Sequence, residues 1–157
     1  MITHATWQDI LHVAMNMRED DRAEVMATSW TDDVFEFAVE CVRSPGVKLC
    51  VKDKKGVPVG VGGVANHQPG VGQAWLVGTD DIGTRGLYVA TAAKGLFRSV
   101  MDHGGVHRIQ AFSSATHHRA HAWLKLMGFS EESRIPKFGK AGEEFITFSI
   151  LKEDGHV

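Results

Sequence analysis

The chain has 157 residues, 43% of them hydrophobic, 23% charged and 8% aromatic, the profile of one ordinary globular domain spanning 1–157. A chain of this size buries roughly 70% of its unfolded surface, so neither a disulfide scaffold nor structural zinc is needed to hold it. Its 17 Lys and Arg against 19 Asp and Glu give a formal charge of −2, which argues against the basic stripe of a nucleic-acid binder.

Two cysteines without CxxC spacing, Cys41 and Cys50, read as small buried or half-buried hydrophobes of a reducing compartment. The start, Met1-Ile2-Thr3-His4, lacks a leader pattern, and no stretch approaches the roughly 18 apolar residues of a membrane span. A cytoplasmic location with no membrane partner is the expectation.

In chain order, Thr6-Trp7-Gln8-Asp9 reads as a capping box opening a helix, with Ile10, Leu11, Ala14 and Met17 at helical spacing. Ala23, Val25 and Met26 predict a short second helix. Thr31-Asp32-Asp33 caps a third, whose stripe is Phe35, Ala38, Val39 and Val42, and Pro45-Gly46 ends it. The period then switches to two. Val47, Leu49 and Val51 form the buried face of a strand, with Lys48, Cys50 and Lys52 on a mostly wet one.

Lys54-Lys55-Gly56 turns into a return strand with Val57, Val59 and Val61 on one face. Its other face, Pro58, Gly60 and Gly62, is nearly bare and invites close packing. His67-Gln68-Pro69-Gly70 turns again, and Val71 to Val77 completes an antiparallel meander. A loop from Gly78 to Thr84 leads to a long helix with Leu87, Ala90, Ala93, Phe97, Val100 and Met101 on its stripe. Val106 to Phe112 is the next strand, parallel to its predecessor because a crossover helix separates them. Thr116 caps a helix that Gly128-Phe129 stops, and Phe129 to Leu151 makes two closing strands. This order predicts an α/β fold: a mixed, mostly antiparallel sheet flanked by helices on both faces.

The stretch His107-Arg108-Ile109-Gln110-Ala111-Phe112, a loop, then Ala120-x-x-Trp123-Leu124-x-x-Met127-Gly128-Phe129 resembles the C-terminal half of the Gcn5-related N-acetyltransferase (GNAT) superfamily. The upstream element order matches as well. Arg18-x-x-Asp21-x-x-Glu24 and the Trp-Leu before Met-Gly-Phe also resemble, more weakly, the T7-type podophage internal-virion-protein group.

The first resemblance implies an N-acetyltransferase that moves an acetyl group from acetyl-CoA, its cosubstrate, to a small-molecule or protein amine. The second implies a non-catalytic virion or host-interaction protein in the host cytoplasm, whose partner is a virion protein or a second copy of the chain.

In the GNAT family two strands splay apart to admit pantetheine, and the following helix start receives the pyrophosphate. The family's turn, Gln/Arg-x-x-Gly-x-Gly/Ala, maps to Arg85-Gly86-Leu87-Tyr88-Val89-Ala90. The resemblance therefore places the cofactor against these six residues, with Val77 and Gly78 at the strand end. Tyr88 stands where the motif has glycine. Asp80 and Asp81 in the lead-in loop would each repel a diphosphate by about 1 kcal/mol at 4 Å in water.

The family's asparagine at the start of the next helix maps to His117, a further cofactor contact, and its proton-donating tyrosine maps to Leu124. The sole tyrosine, Tyr88, is then the candidate donor, with Glu36 and His67 as candidate bases, beside Glu40. His117 and His121, four apart, have a spacing that can hold a metal. No HExxH pattern or third ligand accompanies them, so a polar helix start is the favoured reading and no metal is expected.

Overall fold

Thr6 opens the first helix as its sequence predicts. Its hydroxyl accepts from Asp9 N–H at 3.2 Å while Asp9 Oδ2 accepts from Thr6 N–H at 3.0 Å, a reciprocal box that satisfies two end donors at once. In the computed structural model, which describes residues 1–153, this helix follows a short strand that the sequence pattern did not reveal. Positions 154–157 of the expected domain lie outside the described residues.

The elements are β1 (Ile2–His4), α1 (Trp7–Met15), α2 (Glu19–Ala27), α3 (Val34–Arg43), β2 (Gly46–Lys52), β3 (Pro58–Gln68) and β4 (Val71–Gly78). A 3-10 turn (Asp80–Arg85) then leads to α4 (Gly86–His103), β5 (Arg108–Ser114), α5 (His118–Leu126), β6 (Ser130–Ile135) and β7 (Phe145–Leu151). The seven strands form one sheet in the order β1-β2-β3-β4-β5-β7-β6. Every pairing is antiparallel except β4 with β5, as the intervening crossover helix requires.

Helices cover both faces. On one, Ile10, Val13 and Ala14 of α1 and Ala38 and Cys41 of α3 bury Cys50, Val61 and Val77. The predicted wet face of β2 is therefore corrected: Cys50 is fully buried and Lys52 pairs with Asp9 at 3.6 Å, because α1 and α3 fold back over it. On the opposite face Ala90, Phe97 and Met101 of α4 pack on Ile109, Ala111 and Phe148. Each large side chain so buried contributes about 1.5–3 kcal/mol.

Two further boundaries differ from the sequence reading. His67 and Gln68 belong to β3, so the turn is confined to Pro69-Gly70, where Gly70 takes φ +79°. The N-cap of α5 is His117 rather than Thr116. The stop of α5 is as predicted: Gly128 has φ +103°, Phe129 N–H donates to Leu124 O at 3.0 Å and Gly128 N–H to Lys125 O at 3.1 Å, the paired bonds of a Schellman motif.

Candidate active site

Strands β4 and β5 pair only through Val71, Gly72 and Gln73 with Arg108, Ile109 and Gln110. Beyond that point they diverge. Ala74–Gly78 and Ala111–Ser114 run on as two separated edges, and a cleft of about 730 Å3 passes through the gap. On the α4–α5 face it is lined by Leu76, Val89, Ala93, Trp123 and Leu124. On the α1–α3 face the lining includes Glu40, Trp75, Phe112 and Phe138. Phe112 and Phe138 stack there with centroids 5.4 Å apart.

The start of α4 is aimed by a glycine notch. Gly60 and Gly78 are register partners in β3 and β4, and a Cβ on either would lie 2.6 Å or 2.8 Å from the buried side chain of Ile82. The bare glycine face predicted on β3 is thus filled at Gly60 by the chain's own 3-10 turn, while Gly62 lies against Trp75 O and Leu76 and lines the cleft. Thr79 Oγ1 accepts from Asp81 N–H at 3.3 Å at the start of that turn, and Trp123 Nε1–H donates to Gly86 O at 3.0 Å, tying α5 to the first turn of α4. That first turn has no acidic residue and no side-chain cap, so its positive dipole end is not neutralised by its own sequence.

Helix α2 bridges the far ends of the two separated strands. Asp21 Oδ2 accepts from Gly78 N–H at 2.8 Å, and Arg18 N–H donates to Gly78 O at 2.8 Å. Glu24 Oε1 accepts from Ser114 N–H at 3.2 Å. Arg18 clamps Asp21 with guanidinium bonds of 2.9–3.2 Å. His117 lies between the two acids: Nδ1 is in contact with Glu24 Oε2, and Nε2 is 3.7 Å from Asp21 Oδ1. The Glu24 carboxylate, helped by Asp21, raises the imidazole pKa above its ordinary value against the opposing effect of burial.

The predicted site residues divide accordingly. Val77 and Val89 line the cleft, and Gly78 closes its wide end through Asp21. Gly86 and Ala90 sit in the first turns of α4, Ala90 within the core. Arg85 precedes them, its Nη1 donating to Asp81 O at 3.2 Å, with Asp53 of the neighbouring hairpin close enough to feel its charge. Leu87 is 74% and Tyr88 50% exposed, and neither lines the cleft.

Of the expected bases, His67 and Glu40 line the cleft, whereas Glu36 is exposed on α3 away from it. His117 is in the cleft wall, its two ring nitrogens facing Glu24 and Asp21 of α2. His121 bonds to Ser114 O at 2.8 Å rather than converging with His117.

Sequence reasoning assigned no role to Asp21, Glu24 or Ser113. The i, i+3, i+6 spacing of Arg18, Asp21 and Glu24 on a helix with few apolar residues was the available signal, since a polar stripe on a short helix needs partners. Among the described residues, no helix is long and apolar enough to cross a membrane.

No family model and no curated protein matches the sequence. Solved structures match over nearly the whole chain. A ribosomal-protein-alanine N-acetyltransferase from Brucella melitensis is 16% identical, with TM-score 0.73 over 96% of this chain and 99% of its own. A variant of the spermidine N-acetyltransferase of Vibrio cholerae is 11% identical, with TM-score 0.72 over 96% and 94%. A GNAT-superfamily phosphinothricin acetyltransferase from Sinorhizobium meliloti, in complex with AcCoA, is 14% identical, with TM-score 0.73 over 99% and 89%. The divergent β4–β5 pair within this sheet order, together with these matches, gives the chain the GNAT acetyltransferase fold.

Proposed function

We propose that the protein is an N-acetyltransferase that uses acetyl-CoA as cosubstrate and an amine of a small molecule or protein as acceptor. The observation that carries this reading is the split between β4 and β5. Two backbone edges with hydrogen-bonding groups not spent on each other face a through-going cleft, and an extended chain of amides such as pantetheine can add to such an edge as a strand would. The uncapped start of α4 stands at the same end of β4.

In this reading Val77 and Gly78 border the pantetheine arm. Arg85 and the N–H groups of Gly86 to Ala90 face the pyrophosphate, with Leu87 and Tyr88 at its outer rim. Acetyl-CoA supplies the activated acyl group; the chain orients the thioester and excludes water from it. The acceptor enters from the α1–α3 face, where the rings of Trp75, Phe112 and Phe138 and the carboxylate of Glu40 suit a cationic amine. His67 at the rim is placed to take its proton, directly or through water.

Thermal unfolding with and without acetyl-CoA tests this. Ligand at about 100 times its dissociation constant adds roughly 2.7 kcal/mol, a rise of several degrees for a domain of this size. Arg85→Ala should diminish the rise. No rise at millimolar acetyl-CoA removes the transferase reading. It leaves the second one, a non-catalytic protein on the same scaffold, which the position of Tyr88 outside the cleft favours.

A further inference from the structure

Acetyl transfer leaves a thiolate on coenzyme A, and the chain's single tyrosine does not line the cleft where that sulfur would lie. Leu124, which does line it, has no proton to offer. We propose that Ser113 Oγ donates the hydrogen bond that stabilises the sulfur as it becomes a thiolate; this rests on the acetyl-CoA reading above.

Ser113 is 1% exposed and its hydroxyl has no hydrogen-bond partner among the described residues, an uncommon condition for a buried polar group. It lines the cleft on β5, three residues beyond Gln110, the last residue of β5 paired with β4. The alternation of β5 puts it on the side of Ile109 and Ala111, the α4–α5 side that also bears Leu124. Continuing the register from Gln73 and Gln110 would set it across the split from Leu76. Ser114 is otherwise engaged: its N–H bonds to Glu24 and its hydroxyl to Thr116.

The step balances without any redox partner. The amine lone pair attacks the thioester carbonyl carbon, the C–N bond forms and the C–S bond breaks, and its electron pair passes to sulfur. The amine proton leaves to the base or to water. Ser113 keeps its own proton, because a hydroxyl is the weaker acid, and shares it with the departing sulfur as a charge-assisted hydrogen bond.

The experiment compares binding of CoA and desulfo-CoA to the full chain, wild type and S113A, at pH 6.5 and 9. At pH 9, S113A should bind CoA about tenfold more weakly, the scale of one hydrogen bond to a charged group. Desulfo-CoA should be unaffected, and the CoA deficit should shrink at pH 6.5, where the thiol keeps its proton.

S113C, which preserves shape but donates weakly, should show a smaller loss of the same sign and serves if S113A does not fold. Equal losses for both ligands, or none for either, overturn the role of Ser113 while leaving the acetyl-CoA reading intact. Failure of the wild type to bind either ligand overturns both.

Discussion

His117 in the cleft wall is coupled to two carboxylates, Glu24 and Asp21, that arrive from a helix more than ninety positions earlier. Its pKa is raised chiefly by the hydrogen bond to Glu24, so folding favours the imidazolium. That contribution is fully present below the unfolded value of about 6.5 and is lost as pH rises through the higher folded value. Glu24→Gln should therefore destabilise the chain by about 1–3 kcal/mol at pH 6 and by less at pH 9. Urea melts at the two values check this, and a loss independent of pH would show that the imidazole is not the coupled group.

Burial is the largest influence on the two thiols, reinforced by the Glu40 charge at Cys41 and the Asp9 charge at Cys50 and opposed by Lys48 and Lys52. The net effect pushes Cys41 up to about 12 and Cys50 up to about 11, so at pH 8 a disulfide reagent should label neither thiol until denaturant is added. At this scale the sequence was legible where partners are local: Thr6 with Asp9, and Gly128 with Phe129. Asp21 and Glu24 were not, since their partners Gly78 and Ser114 lie 57 and 90 residues away and no periodicity encodes such a distance.

Among the elements, the 3-10 turn shows how a glycine pattern becomes a packing constraint. The bare face at Gly60 was visible in the sequence as a place for close approach, but not what approaches, because Ile82 sits in a segment with no periodic signature. The geometry separates two substitutions. A Cβ at Gly60 meets the tip of Ile82, Cδ1 at 2.6 Å, with Cγ1 and Val77 O at 3.6 Å, whereas one at Gly78 meets Cγ2 at 2.8 Å and Cβ at 3.3 Å as well as Cδ1 at 3.0 Å.

Both alanine variants should lose about 1–3 kcal/mol from overpacking. Ile82→Val removes Cδ1 and should restore most of the Gly60→Ala loss but a smaller part of the Gly78→Ala loss, because Cγ2 and Cβ remain in place there. Double-mutant cycles by chemical denaturation measure the two couplings, and equal rescue of both would mean that the turn does not seat on this notch. The short β1 strand was hidden for a different reason: three residues are too few to display an alternation.

The whole molecule is a sheet opened along one seam and held at the open end by a helix. The mixed sheet and its helical layers followed from element order, because a meander followed by a crossover helix leaves few ways to cover two faces. The helix across the opening did not, since α2 has little apolar stripe to announce where it docks. Its attachment is polar at both ends, with Asp21 on β4 and Glu24 on β5.

If α2 acts as a rigid strut, loosening one end must loosen the other. Asp21→Ala frees Gly78 N–H and Arg18 and should speed amide exchange at Gly78. It should also speed exchange at Ser114, although Glu24 is untouched, by about tenfold for a local loss near 1.4 kcal/mol. Amide exchange followed by NMR reads both sites in one experiment. Faster exchange at Gly78 with Ser114 unchanged would mean that the two strands are fixed independently and that the width of the opening is set by the sheet alone.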